Sequence, residues 1–374
     1  MGRRFDNRAV AVPVAAVFAL GFLVLGLTIY QATVVPAETE TIEYEHSTTV
    51  SSQFAGLAES IQTTSTDGSA SPSTVRLGVQ YPSRTFVVGP SRSSGTLETD
   101  PLGSVQLENA SYPTTENPDR TYTTSGIRYT PSYSQYDVGA ETWLEHGVAV
   151  RRADSGSAVG LSEQYLIEDS RISLPVLAGS LSRSTSERTT VPNRPVSVSE
   201  TTVEVTSNES GPLTLVAPTR LDESTWNRLL ASERTPDGQI TDISVREDPE
   251  TDTGELRITL AEGSYDLAVG SVGVTDRVDE PEPAYLFERT PDQTVSEGMT
   301  VPVAVEVRDR YDNPVSGVRV QFSADGSELG TARSNEQGVA TYEYEVAGSD
   351  TVDITAETVE AGISLGEPIE LRTA

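Results

Sequence analysis

The stretch MTVPVAVEVRDRYDNPVSGVRVQFSADG, residues 299–326, alternates between apolar and polar side chains in two runs. The apolar members that recur at every second position are Val301, Val303, Val305, Val307, Val318, Val320 and Phe322. Because successive side chains of a strand point to opposite faces, both runs are predicted to be strands with one buried face. Asp312-Asn313-Pro314 and Ser316-Gly317 supply the turn between them, since Asp, Asn and Gly tolerate left-handed backbone. The stretch therefore predicts two strands of a β-sandwich.

The segments after this stretch continue the pattern. GVATYEYEVAG, DTVDITAE and IELRT are also predicted to be short strands. The module as a whole is predicted to have seven short strands in about ninety residues, which is typical of an immunoglobulin-like sandwich. This module is placed at residues 284–374. Its expected core includes Val303, Val305, Val320, Phe322, Tyr342 and Ile354. Residues 277–283, with Pro281 and Pro283, are predicted to be a linker, so we expect the module to fold by itself and to make few contacts with the rest of the chain.

The module resembles the group 1 bacterial Ig-like domain of invasin and intimin type. The resemblance rests on residues 307–318, on Gly338-Val339-Ala340 and on residues 352–356. Asp312 stands where such domains usually have a Gly, and Ser334-Asn335-Glu336 stands where a Thr-Asp pair is common. The resemblance implies a spacer that holds a binding tip away from the cell, or the tip itself.

The N-terminal region has a long uncharged run at residues 10–30, with Arg3, Arg4 and Arg8 before it and acids after Glu38. As a helix it spans roughly 31 Å, close to the hydrocarbon thickness of a bilayer. It is longer than the apolar part of a cleavable signal peptide. We therefore expect a cytoplasmic tip at residues 1–8, a single transmembrane helix at residues 9–31 in contact with the lipid bilayer of the cell membrane, and an extracellular location for the bulk of the chain.

The same run also resembles the start of type IV pilins. The motif Arg8-Ala9-Val10-Ala11-Val12-Pro13-Val14 has a basic residue before a small one and a Pro soon after. In pilins, a peptidase cuts before the apolar run and the freed helix packs in a filament core. Ala9 stands where a Gly is expected. The alternative is thus a filament subunit processed before Ala9.

Beyond the membrane helix, residues 32–68 are predicted to be helical. The apolar residues Val50, Phe54, Leu57, Ala58 and Ile61 fall on one stripe of a helix. This helix either extends outward as a stalk or packs on the first β domain.

Residues 69–276 alternate with period two in short runs separated by Gly, Pro, Ser and Asn clusters. They predict an antiparallel β-sandwich or barrel with one helix, for which Asp222 or Ser224 is the expected N-cap. The phrases LGVQYPSRTFVVGPSRSSGTL, ISLPVLAGSLS and APTRLDESTWNRLLA are similar to those of a haloarchaeal family of membrane-tethered exterior proteins with no established activity. The expected fold class is mainly β, with a transmembrane helix, a helical stalk, a sandwich-like middle region and an immunoglobulin-like end.

The amino-acid composition narrows the range of possible functions and partners. The chain of 374 residues has a net charge of -30, and all of its 26 basic residues are Arg. Acids hydrate a surface and repel little at molar salt, so this excess indicates a halophilic organism, and nucleic acid is not expected as a partner. There is no Cys, and His46 and His146 are the only histidines, which leaves little for metal or triad chemistry. No cofactor is expected.

Several residues are candidate sites. Five tyrosines in a polar stretch are expected to be half-buried strand and loop residues, with a surface that binds sugars or a partner protein as the alternative: Tyr112, Tyr122, Tyr129, Tyr133 and Tyr136. Asn109 and Asn208 match the glycosylation pattern Asn-X-Ser. The acidic residues 247–255 are expected to be a solvated turn, with calcium binding as the alternative. Glu145 and His146 are adjacent, and neighbouring strand residues point to opposite faces, so no acid–base pair is expected there.

These patterns predict a non-catalytic, membrane-anchored cell-surface protein with a structural or adhesive role. A pilin-like subunit is the alternative, and a surface hydrolase is a distant third. Its expected partners besides the bilayer are other surface or pilus proteins or an exterior ligand.

Overall fold

The computed structural model describes residues 8–84, 89–113, 120–136, 141–152, 158–236, 238–247, 253–279, 282–348 and 351–373. The expected cytoplasmic tip, apart from Arg8, lies outside these residues, and so do residues 85–88 of the phrase LGVQYPSRTFVVGPSRSSGTL.

One continuous helical rod begins the described chain. It consists of α1 (Arg8–Ile29), a π-helical turn (Tyr30–Val34) and α2 (Val35–Asp67). Gly68 ends the rod in the left-handed conformation, with φ of 69°. The side chains of residues 13–30 are exposed, whereas α2 buries one stripe against β strands. Helix α2 therefore packs on the first β domain, which was one of the two expectations, and does not stand free as a stalk.

The remaining helix and the strands follow in chain order. Helix α3 is Glu223–Leu229. Its N-cap is Asp222, one of the two expected residues, whose side chain accepts a hydrogen bond of 2.7 Å from the N–H of Thr225. The strands are β1 Ser73–Arg76, β2 Gly95–Glu108, β3 Ala110–Ser111, β4 Tyr122–Pro131, β5 Glu141–Glu145, β6 Val148–Arg152, β7 Ala158–Gly160, β8 Ile167–Glu168, β9 Arg171–Ala178, β10 Ser182–Thr185, β11 Arg188–Val191, β12 Arg194–Ser197, β13 Val203–Ser207, β14 Thr214–Thr219, β15 Ile240–Arg246, β16 Gly254–Leu260, β17 Ser264–Gly273, β18 Pro283–Glu288, β19 Gln293–Val295, β20 Thr300–Asp309, β21 Arg319–Ala324, β22 Ser327–Arg333, β23 Val339–Glu345, β24 Val352–Thr358 and β25 Ile369–Thr373.

The middle region is a sandwich of two sheets. One has the order β15-β16-β14-β2-β4-β5-β6-β7, with β10 also on β2, and the other has the order β3-β13-β17-β9-β8, with β12 also on β17. The small sheet β1-β11 lies beside α2. Strands β9 and β17 pair in parallel, so the expectation of a wholly antiparallel region is wrong. The chain between these two strands is long enough for the crossover that a parallel pair requires.

The middle region contains two apolar cores. The first lies between the two large sheets and includes Trp143, Trp226 and Tyr265. The second joins the α2 stripe, centred on Phe54 and Leu57, to strands of the sandwich. Because burying apolar side chains is the main favourable term in folding, the second core fixes α2 to the β domain.

The C-terminal module is an immunoglobulin-like sandwich, with sheet β18-β20-β23 packed on sheet β19-β25-β24-β21-β22. The described residues of this module form eight strands where the sequence predicts seven, and the additional three-residue β19 pairs in parallel with β25. The confirmed core residues are Val303, Val305, Val320, Phe322 and Ile354. Tyr342 is half-buried and stacks on Phe322, with ring centroids 5.7 Å apart. Asp312 adopts the left-handed conformation expected of the turn, with φ of 65°.

Candidate functional site

The five candidate tyrosines lie in two separate places. Tyr129, Tyr133 and Tyr136 lie beside α2, whereas Tyr112 and Tyr122 lie beside the turn that follows β20. The structure therefore does not bring the five together. Tyr122 and Tyr129 are each only 1% exposed, so a ligand in solution cannot reach these two rings.

The first place is a polar contact that we call the helix collar, formed by Glu43 and His46 of α2 with Tyr81 and residues 133–136. Glu43 is fully buried, and its carboxylate accepts hydrogen bonds from the main-chain N–H groups of Ser134 (2.8 Å), Gln135 (2.8 Å) and Tyr136 (2.7 Å). Its Oε1 also accepts from the Tyr81 hydroxyl. Burial raises the pKa of Glu43, but the bond from Tyr81 and those from the main chain outweigh it, and the pKa lies below its ordinary value.

His46 forms the other half of the helix collar. Its Nδ1 lies 2.7 Å from the Tyr133 hydroxyl. Burial and the nearby charge of Arg76 lower the pKa of His46 to about 4, against weaker opposing effects of the Arg76 main chain and Glu43. The ring is therefore neutral at ordinary pH. Nearer to α1, Arg84 and Glu38 form an ion pair of 2.6 Å.

The second place, which we call the module junction, joins the turn at residues 309–313 to the middle region. Asp312 accepts hydrogen bonds from Nε of Arg120 (3.1 Å) and from the Tyr285 hydroxyl (2.7 Å). The guanidinium carbon of Arg120 lies 3.9 Å from the centroid of the Tyr112 ring. Asp312 is thus a buried charge with a charged partner from the other domain, which is the arrangement that a buried carboxylate requires.

Asp309 and Asn313 extend the module junction. The Ser197 hydroxyl donates to Oδ2 of Asp309 at 2.6 Å. Nδ2 of Asn313 donates to Oγ of Ser197 (2.7 Å) and to the carbonyl of Val269 (2.6 Å). Burial raises the pKa of Asp309 to about 6, although hydrogen bonds from Ser197 and from the N–H groups of Asn313 and Tyr311 act in the opposite direction.

Stacking and a further hydrogen bond complete the module junction. The rings of Tyr122 and Tyr311 are stacked with centroids 5.9 Å apart, and Nη2 of Arg310 donates to the carbonyl of Thr121 at 3.0 Å. The expectation of few contacts between the module and the middle region is therefore wrong. The polar residues of the turn need buried partners, and the middle region supplies them.

The remaining candidates have structural partners. Glu145 is buried, which raises its pKa, and it accepts hydrogen bonds from the Thr219 hydroxyl and the N–H of Arg220. His146 lies in a turn with φ of 49°, and its Nε2 is 2.6 Å from the carbonyl of Pro218. These bonds hold the β5–β6 turn against the end of β14, and they give the side chains of both Glu145 and His146 a structural partner.

The two glycosylation asparagines are neighbours, because the N–H of Asn208 donates to the carbonyl of Asn109 at 2.8 Å. Asn208 is exposed and Asn109 is half-buried. Most of the acidic candidate turn, residues 248–252, lies outside the described residues.

Sequence reasoning missed Glu43, and it missed the contacts of Asp309, Asp312 and Asn313 with the middle region. A signal for Glu43 was present: Glu43 and His46 continue the stripe of Val50 and Phe54 at steps of three and four. A polar residue on a buried stripe needs polar partners. No comparable signal pairs Arg120 with Asp312, because their contact is set by how two domains meet.

No protein-family model matches the chain. A relative from Archaeoglobus fulgidus, described as an uncharacterized protein, is 26% identical in an alignment of 368 positions. The alignment covers 93% of this chain but only 60% of the relative's length. Among solved structures, the D0-D1 domain of intimin is similar over 71% of this chain and 99% of its own, with 14% identity and a TM-score of 0.22. Domains 4 and 5 of the S-layer protein SbsC match 37% of this chain and 85% of their own, with 13% identity and a TM-score of 0.19. Similarity at this level assigns no activity to the chain.

Proposed function

We propose that the chain is a non-catalytic surface structural protein of a halophilic archaeon, anchored in the cell membrane by α1. The observation that carries this proposal is the change of environment along one continuous helix. The side chains of residues 13–30 are uncharged, almost all apolar, and exposed, whereas α2 is packed into a β domain. A helix of this length and composition is suited to cross a bilayer. The membrane would then cover the exposed half.

The two polar contacts support a structural role for the exterior part. The helix collar fixes α2 to the middle region, and the module junction fixes the middle region to the C-terminal module. Each contact uses buried carboxylates with several donors, namely Glu43, Asp309 and Asp312. Such contacts position the C-terminal module relative to the helix, as a spacer or a binding tip requires. This supports adhesion or surface assembly over catalysis.

Fractionation of whole cells tests the anchor. The protein should sediment with membranes, and protease added to intact cells should digest the chain after Glu38. The double substitution Leu20→Arg and Leu23→Arg should release the protein, since an arginine near the middle of a bilayer costs about 2.5–3.5 kcal/mol. Arginines at the exposed α2 positions Thr41 and Thr48 are the matched control and should leave the protein in the membrane. Full-length protein in the medium of unsubstituted cells would contradict the proposal.

A pilin-like subunit is the second candidate, and the same helix favours it. One rod with an exposed apolar half and a half packed in a β-rich head also suits a filament in which the exposed halves pack together. Processing before Ala9 and recovery in sheared filaments would support this alternative over the permanent anchor. Glu145 and His146 are held in structural hydrogen bonds, so they give no support to a hydrolase.

A further inference from the structure

We infer that Asn208 carries an N-linked oligosaccharide and that Asn109 carries none, although both begin an Asn-X-Ser motif. The motif alone does not distinguish the two residues, because both fit the pattern of an acceptor. The structure does distinguish them, through the exposure of each motif and the contacts of each side-chain amide. The inference rests on the proposed function, since N-glycosylation is found on chains that face the exterior.

The motif of Asn208 lies wholly in an exposed turn. Strand β13 ends at Ser207 and β14 begins at Thr214, so Asn208-Glu209-Ser210 belongs to the connection between them. All three residues of the motif are exposed. A glycosyltransferase recognises both the asparagine and the hydroxyl residue two positions later. It can therefore bind this motif in the folded protein.

The motif of Asn109 is part of a sheet. Asn109 is half-buried and adopts the left-handed conformation, with φ of 58°, which Asn tolerates better than most residues. Ala110 and Ser111 form β3, where they are paired with Ser207 and Thr206 of β13. An enzyme could bind this motif only after β3 had separated from β13. In the folded chain, Asn109 thus has a structural role and a poorly accessible motif.

The side-chain amide of Asn208 can accept a sugar without loss of the turn. Its Oδ1 accepts a hydrogen bond of 2.8 Å from the N–H of Ser210. Its Nδ2 lies 3.4 Å from the carbonyl oxygen of Ala110, which is longer than the usual distance of about 2.7–3.2 Å. A glycan is attached through Nδ2, so the stronger bond, through Oδ1, remains.

The side-chain amide of Asn109 is held more closely. Its Nδ2 donates to the carbonyl of Pro212 at 3.1 Å, and it lies 3.2 Å from the position that a Cβ atom of Gly211 would occupy. A sugar on this nitrogen would have to displace the Pro212–Gly211 backbone. The N–H of Asn208 also donates to the carbonyl of Asn109 at 2.8 Å, so the two residues are adjacent. An oligosaccharide on Asn208 would therefore cover Asn109 as well.

The sugar donor is an oligosaccharide joined to a membrane lipid through a phosphate. In the transfer, Nδ2 of Asn208 forms a bond to the anomeric carbon of the first sugar, and the bond from that carbon to the phosphate oxygen breaks. The lipid phosphate leaves with the electron pair of the broken bond. Nδ2 loses one proton to a base of the glycosyltransferase and keeps one N–H.

Mass spectrometry of the full chain, purified from native membranes, tests the choice between the two residues. Trypsin cleaves after arginine except before proline, so it places the motifs in separate peptides, residues 93–120 and residues 189–220. The second peptide should carry sugar at Asn208, and the first should carry none at Asn109. Sugar on Asn109, or equal modification of both residues, would overturn the inference, because the folded structure would then not select the acceptor.

Substitutions at the hydroxyl position test the same point with little change of structure. Ser210→Ala should abolish the glycan while it keeps the main-chain N–H that bonds to Oδ1 of Asn208. Ser210→Thr should retain the glycan, because Thr also fits the motif. Ser111→Ala, which destroys the motif of Asn109, is the matched control and should leave the glycan in place. A glycan that persists in Ser210→Ala, or one that is lost in Ser111→Ala, would contradict the inference.

Asn208→Asp provides a second route to the same loss. The aspartate keeps an oxygen that can accept from the N–H of Ser210, but it has no Nδ2 to which a sugar can be attached. The glycan should disappear and the protein should still fold, as judged by an unchanged circular dichroism spectrum. A sugar that remains on the peptide of residues 189–220 in this variant would overturn the inference.

Protease added to intact cells of the same culture separates this inference from the proposed function. If the protease digests the chain after Glu38 and Asn208 is unmodified, the inference is wrong and the exterior location stands. If the protease does not reach the chain and Asn208 is unmodified, both are wrong. Sugar on Asn208 together with digestion by the protease is the result that we expect.

Discussion

Arg120 and Asp312 lie 192 positions apart in the chain, and Nε of the arginine is 3.1 Å from Oδ2 of the aspartate. Their side chains are 8% and 2% exposed. The pair joins the middle region to the C-terminal module at a turn whose residues the sequence assigns to the module alone. The two domains are therefore expected to lose stability together when this contact is broken.

Substitution of Arg120 by Met tests this coupling. It leaves the Asp312 carboxylate buried without its cation, and loss of one partner of a buried pair costs about 3–5 kcal/mol. The free energy of unfolding should fall by that amount in a urea melt at molar KCl. Arg183→Met is the control, since Arg183 is an exposed residue of β10, and it should change stability by less than about 0.5 kcal/mol. Equal effects of the two substitutions would show that the module junction does not contribute to stability.

Asp309 makes the module junction sensitive to pH. Its pKa is raised from 3.8 to about 6 by burial. The folded state therefore binds this proton more tightly than the unfolded chain. Above the pKa of the folded state, the buried charge of Asp309 lowers the free energy of unfolding by its full amount. As the pH falls from about 6 towards 4, Asp309 becomes protonated and the free energy of unfolding rises. The two-unit shift corresponds to about 3 kcal/mol.

Asp309→Asn isolates this effect from the other carboxylates. The difference in stability between the substituted and unsubstituted proteins should change with pH between about 4 and 7, with Asn the more stable at the upper end by up to about 3 kcal/mol. The measurement is a series of urea melts at several pH values. A difference that does not vary with pH would contradict the raised pKa.

Glu43 holds the helix collar together. Glu43→Gln keeps one acceptor but places an NH₂ group against main-chain N–H donors of residues 134–136. Buried donors left unpaired cost about 1–3 kcal/mol each, so we expect a loss of about 2–4 kcal/mol. Hydrogen exchange at residues 134–136 should accelerate as well. Glu40→Gln, at an exposed position of the same helix, should do neither. Unchanged exchange in Glu43→Gln would show that the collar is not held by this carboxylate.

Local patterns predicted much of the fold. Period two identified the buried valines of β20, and a stripe with steps of three and four identified the buried face of α2. Both patterns come from neighbours along one element, so sequence spacing is sufficient. The parallel pairing of β9 with β17 joins residues about ninety positions apart, and a periodic pattern within one strand does not indicate which strand it pairs with.

The candidate site was harder to predict for the same reason. Tyr112 and Tyr122 lie close to Tyr129 and Tyr133 in sequence, but the two pairs face different domains. Tyr122 stacks on Tyr311 of the module, whereas Tyr133 contacts His46 of α2. A cluster in sequence becomes a cluster in space only when its residues share a strand face, and these occupy a strand and two separate loops.

Salt dependence tests the halophile argument. The segment after residue 37 carries 23 Arg and 55 acids, a net charge of -32. At about 0.01 M salt the Debye length is roughly 30 Å, so these charges repel across the whole domain, whereas at molar salt it is about 3 Å. Circular dichroism should show strand signal at molar KCl and lose it on dialysis to low salt. An unchanged spectrum and melting temperature would show that the acids are not an adaptation to brine.

The mass of the N-terminal peptide of protein taken from native membranes tests the anchor most directly. A permanent anchor requires that the basic residues before α1 remain, so we predict a peptide that still contains Arg3 and Arg4. A mature chain that begins at Ala9, or one that begins near Glu38, would contradict it.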